Sequence, residues 1–136
     1  MKKGKYFLIF AVVILSIIFL ATMAHADWKI KGTVFNDKDC DLVKQAGEKG
    51  VKGATVNIVG PKFPFPGKNE ITPGDGKYEF NTGHKPGSYT ITVTPSSGWC
   101  VISPNPVTVN MVKHDINNVN FALSKIGVSP PGGCCP

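Results

Sequence analysis

The stretch Ser88-Tyr89-Thr90-Ile91-Thr92-Val93-Thr94 places an apolar side chain at every second position and a hydroxyl between. An extended chain points successive side chains to opposite faces, so Tyr89, Ile91 and Val93 fall on one face and the threonines on the other. A helix would scatter these three around its circumference, so the run reads as a half-buried strand. Working outward, the same period predicts strands over Trp28 to Phe35, Ala54 to Val59, Lys77 to Phe80, Val107 to Val112 and Val119 to Leu123, with a weaker one near Asn69 to Thr72. Seven short strands with turn residues between them predict an all-β, seven-stranded antiparallel β-sandwich. Its core would be built from Ile30, Val34, Val56, Ile58, Tyr78, Phe80, Tyr89, Ile91, Val93, Val107, Val109, Val119 and Phe121. Gly74-Asp75-Gly76, Lys85-Pro86-Gly87 and Pro104-Asn105-Pro106 supply the turns, because these residues tolerate positive φ or fix φ.

The N-terminus carries Lys2, Lys3 and Lys5, an apolar run from Tyr6 through Ala21, and Ala24-His25-Ala26 before Asp27. A basic stub, an apolar stretch and small residues at the cleavage position form a secretory signal over residues 1–26. The other reading is a retained N-terminal anchor, the one way in which this chain would engage a membrane. Cleavage before Asp27 leaves 110 of the 136 residues, enough for one modest core: a domain over 27–124 and a Pro/Gly-rich tail over 125–136. Three of the 15 lysines fall in the signal, so the remainder carries 12 Lys against 9 acids. There is no arginine at all. A mildly basic chain without the planar, bidentate guanidinium is ill suited to reading nucleic acid, and no nucleic-acid partner is expected.

Counted from Asp37, the segment running to Glu48 has carboxylates at positions 1, 3, 5 and 12, namely Asp37, Asp39, Asp41 and Glu48, with the Val43 carbonyl at position 7. That spacing suits calcium, a hard cation that takes oxygen ligands from a curling loop. Leu42 stands at position 6, where Gly makes the sharp turn, and neutral Gln45 stands at position 9. Both weaken a calcium site, and the alternative is a solvated acidic loop whose aspartates cap turns.

Together the stretches Gly32-Thr33-Val34-Phe35-Asn36-Asp37, Ala46 to Val56, Gly76-Lys77-Tyr78-Glu79-Phe80 and Pro86 to Val93 resemble the SdrD B-like domain, the B-type repeat of serine-aspartate repeat surface proteins. The resemblance runs from about Lys29 to Leu123, and the order of the motifs is more specific than any one of them. It implies a prealbumin-like or Cna-B-like sandwich, a stalk, spacer or adhesion-associated role at the cell surface, a calcium loop that stiffens the domain, and no catalysis. Related Cna-B domains can carry a Lys–Asn isopeptide bond. Here Thr33 and Val93 occupy the places of its lysine and acidic helper, so none is expected.

Cys40, Cys100, Cys134 and Cys135 are an even number in an exported chain, which predicts disulfides. If strands alternate in direction, the loop after the first and the end of the fifth share a pole, and a Cys40–Cys100 bridge is expected. It would also rigidify the acidic loop. Adjacent Cys134 and Cys135 are poorly placed to bond each other; they suit covalent linkage to a partner, a disulfide-linked oligomer, or bonding back to the domain. The Gly60 to Gly67 insertion alternates aromatics with prolines, offering Phe63 and Phe65 as contacts for a protein or glycan at the cell envelope, or as rings folded over the core. Trp99 is open to the same two readings. His84 and His114 lie beside turns with no nucleophile motif around them, so no enzyme is expected. Three functions result: an exported structural or adhesion-associated module, a carbohydrate-binding module using exposed aromatics, and a redox or covalent-linkage protein acting through Cys134 and Cys135.

Overall fold

The computed structural model describes residues 25–127, 134 and 135; the segment 1–26 expected to be a signal lies outside them apart from its last two residues, and so does most of the stretch expected to be a tail. Eight strands form: β1 (Trp28–Asn36), β2 (Thr55–Val59), β3 (Lys68–Ile71), β4 (Lys77–Gly83), β5 (Gly87–Thr94), β6 (Trp99–Val101), β7 (Val107–Met111) and β8 (Phe121–Lys125). They make two four-stranded sheets, ordered β4-β1-β8-β6 and β3-β2-β5-β7. No helix occurs among the described residues, and none there is long and apolar enough to cross a membrane.

The alternation that predicts the strands is the alternation that fills the core. In β5, Tyr89, Ile91 and Val93 are buried, and Ile58 and Val56 of β2 sit directly opposite Ile91 and Val93. From the facing sheet come Ile30, Val34, Tyr78, Phe80, Phe121 and Leu123. Val107 and Val109 are only half-buried, because β7 is an edge strand with β5 on one side alone.

Two features depart from the sequence expectation. The eighth strand, β6, pairs antiparallel with β8, Cys100 lying opposite Ser124; its three residues are all half-buried, so no alternation marks it. Moreover β1 and β8 run parallel, Val34 beside Phe121 and Asn36 beside Leu123. The chain just before β8 prolongs that pairing: Lys31 N–H donates to the Ile116 carbonyl at 2.9 Å and Val119 N–H to the Lys31 carbonyl at 3.1 Å. Gly32 permits this approach, since a Cβ there would lie 1.8 Å from the Val119 carbonyl oxygen. The buried Tyr78 hydroxyl donates to that same oxygen, and burial pushes its phenol pKa up.

Asp115 pins this segment to β1, accepting from Lys29 N–H at 2.9 Å and from the Lys31 ammonium at 3.2 Å. Lys29 in turn meets Glu79 of β4 at 2.6 Å. The Lys31 hydrogen bond, then the Lys29 N–H, lower the Asp115 pKa, and the Lys29 hydrogen bond lowers that of Glu79 and raises that of Lys29. These groups stand in solvent, so they stay charged and form an ion-pair ladder of modest strength.

Candidate functional site

The acidic loop leaves the end of β1, where Asp37 N–H donates to the Leu123 carbonyl at 2.9 Å. The Asp37 side chain is 1% exposed. Its Oδ1 accepts from Cys40 N–H at 2.6 Å and its Oδ2 from Leu42 N–H at 2.8 Å, so one carboxylate caps the whole curl. Leu42 has φ +65° and Cys40 φ +63°. Leu42 therefore adopts the left-handed conformation that a glycine would take at this point, and the turn survives the substitution that sequence counted against it.

Glu48, also buried, closes the loop: Oε1 accepts from Lys38 N–H at 2.9 Å and Oε2 from Gln45 N–H at 3.0 Å. The Gln45 amide donates to Asp39 at 2.9 Å and Asp41 at 2.8 Å, spacing two exposed carboxylates that would otherwise repel. Lys44 lies 5.9 Å from the Phe35 ring centroid and donates to the Gln45 and Glu48 carbonyls.

Asp37, Asp39 and Glu48 each bring one oxygen within 4.8 Å of the others. Two ligands of one calcium ion at roughly 2.4 Å lie at most about 4.8 Å apart, and a carboxylate oxygen that accepts one N–H retains a second lone pair. The donor set thus fits a hard cation. Asp41 falls outside this group, its Oδ1 taken by Val43 N–H at 2.7 Å; the Val43 side chain is exposed. Of the five ligands sequence proposed, three converge.

The cysteines depart from expectation. Cys40 bonds Cys135 and Cys100 bonds Cys134, each pair with Cα atoms 6.1 Å apart. The predicted Cys40–Cys100 bridge is therefore replaced by two, although both cysteines do lie at one pole, where the adjacent tail thiols reach one each. Cys134 and Cys135 thus both bond back to the domain, one of the readings open to them in the sequence.

Of the aromatic contacts, Phe63 is half-buried against the core, 6.2 Å from the Phe80 ring, which removes it as an exposed contact. Phe65 is 88% exposed. Trp99 packs against the core with the Lys125 ammonium 5.7 Å from its ring centroid, so its face is not an open sugar platform. His84 stands 3.8 Å from Asp27 and edge-on to Trp28, and His114 is exposed. Sequence reasoning missed Asp115 and Asn120, whose side chain accepts from Thr33 N–H at 2.9 Å. The signal for both was the Asx-rich run Asp115 to Asn120 between two strands, a composition that bonds to backbone rather than forming a ladder.

A two-sheet, disulfide-locked sandwich with an acidic loop at one pole is the architecture of an extracellular structural domain. The chain belongs to the SdrD B-like domain family, whose model matches residues 29–130. Among solved structures it is similar to GBS52, the minor pilin in the Gram-positive pathogen Streptococcus agalactiae, with a TM-score of 0.51 and 12% identity. The match covers 79% of this chain and 49% of that one, so the chain spans about half the length of the pilin, and at this identity the likeness is one of fold. No curated protein matches the chain. The family is one of surface-protein structural domains, and the disulfides fit an extracytoplasmic location.

Proposed function

We propose that this chain is a non-catalytic structural or adhesion-associated module of the cell surface whose acidic loop takes calcium and becomes stiffer for it. The observation that carries the reading is the convergence of Asp37, Asp39 and Glu48 at the end of β1, where the loop is also tied to the tail through Cys40. Asp37 and Glu48 already hold the loop backbone, so a cation shared with Asp39 would offset the repulsion of three carboxylates. Calcium would supply positive charge and nothing chemical.

Ligand that binds only the folded state raises its stability. At saturating calcium the oxidised protein should melt about 5–15 °C higher than in chelator. Asp39→Asn is the control, because Asp39 is exposed and its one described partner is the Gln45 amide; this variant should fold as wild type does and lose the calcium response. A melting point indifferent to calcium, or a response that survives Asp39→Asn, would sink the proposal.

A second reading rests on Phe65, an exposed ring between Pro64 and Pro66. A stiff loop presenting an apolar ring to solvent suits contact with a protein or glycan of the envelope. Loss of cell-surface adherence in Phe65→Ala at unchanged stability would support it, and unchanged adherence would remove it.

A further inference from the structure

The two disulfides are not equivalent. Adjacent residues of the tail bond to different elements, Cys134 to edge strand β6 and Cys135 to the acidic loop. Cys134 is exposed, whereas Cys40, Cys100 and Cys135 are half-buried. Their electrostatic settings differ as well. Cys40 stands between Asp39 and Asp41, three residues from Asp37, which bonds its N–H. Cys100 stands between Trp99 and Val101, and Lys125 is paired opposite Trp99 across β6 and β8.

Thiol–disulfide exchange starts with a thiolate, an anion, and ends with another thiolate leaving. At the Cys40–Cys135 bridge, the approaching anion would come to, and a departing Cys40 thiolate would belong to, a loop whose Asp37, Asp39 and Asp41 lie within three residues of Cys40. At the Cys100–Cys134 bridge the attacked sulfur belongs to an exposed residue, and no carboxylate flanks the leaving one in sequence.

We propose that Cys100–Cys134 is an exchange site for an incoming thiol, with Cys40–Cys135 as the bridge that keeps the tail in place meanwhile. The incoming thiolate attacks Sγ of Cys134, the Cys134–Cys100 bond breaks, and Cys100 leaves as a thiolate that takes up a proton from water. One disulfide is exchanged for another, with no net oxidation. Because Cys135 still anchors the neighbouring residue, Cys100 remains close to the mixed disulfide and can expel the adduct by the reverse attack. The chemistry requires only a thiolate, small or borne on a polypeptide.

The test uses the full chain, exported under its own N-terminus and purified oxidised. It is incubated with glutathione in one arm and with a single-cysteine peptide in another. Acid quenching, alkylation and non-reducing peptide mapping then locate the adduct. The expected result is an adduct on Cys134, an alkylated Cys100 and an intact Cys40–Cys135 bridge, with at least tenfold preference over the other bridge at low salt. That preference should shrink as salt screens the loop carboxylates. Removing the free thiol should return the unmodified protein. An adduct in one arm alone identifies the source of thiol the site accepts. Adducts first at Cys40 or Cys135, equal attack on both bridges, or no adduct in either arm would overturn the proposal. Since these readouts come from the unmutated protein, no variant that fails to fold can confuse them.

Discussion

The acidic loop from Asp37 to Glu48 and the aromatic–proline loop from Gly60 to Gly67 are both irregular, yet they are held by different forces. The acidic loop is tied by carboxylates accepting backbone N–H groups and by a disulfide. In the other, Gly60 and Phe63 exchange two backbone hydrogen bonds of 2.9 Å, Gly67 N–H donates to the Pro64 carbonyl at 2.8 Å, and the Phe63 ring is seated on Phe80. Ionised groups and a covalent bond hold the first loop. Packing and main-chain pairing hold the second.

The largest break of this contrast should come from Asp37→Ala. It removes the buried carboxylate that accepts from the Cys40 and Leu42 N–H groups, and unfolding in urea should show a loss of about 3 kcal/mol. Phe63→Ala should cost less, about 2 kcal/mol, because the ring is half-buried; its cost should be the same with calcium, with chelator and across neutral pH. A smaller effect sharpens the pH side. Asp115 and Glu79 have pKa values held below their ordinary 3.8 and 4.5. A lowered carboxylate pKa contributes stability above the ordinary value and loses it as pH falls through the folded one. Asp115→Asn should therefore melt slightly below the wild type at pH 7, and the gap should begin to close only as pH falls below 3.8. Smallest of all, Phe65→Ala should shift stability by under about 0.5 kcal/mol, since the ring is 88% exposed.

What could be read from sequence follows the same division. Strand positions and the core were legible because alternation is itself a burial pattern, as in Tyr89, Ile91 and Val93. Strand direction was not, because alternation is blind to it; hence the parallel β1–β8 pair came as a finding. Trp99-Cys100-Val101 lacked any periodic mark. At the acidic loop, spacing singled out Asp37, Asp39 and Glu48, whose oxygens lie within 4.8 Å of one another, but could not tell that Asp37 and Glu48 hold backbone, or that Asp41 turns to Val43 N–H. The glycine count misled at Leu42, since a network of caps can hold a side-chain-bearing residue at positive φ. Cysteine pairing failed for a different reason: a tail without periodicity gives no clue to where its last residues return.

The bridge from Cys40 to Cys135 has a mechanical consequence. Traction applied at Asp27 and at Cys135 need engage only one strand of the sandwich, because the shortest covalent route passes up β1 to Cys40 and across the disulfide. That route reaches only about 50 Å when fully drawn out. Everything between Asp41 and Cys134 lies outside the line of force, so a pulled molecule would behave as a short inextensible link while oxidised and as a long unravelling thread once that one bond is cut.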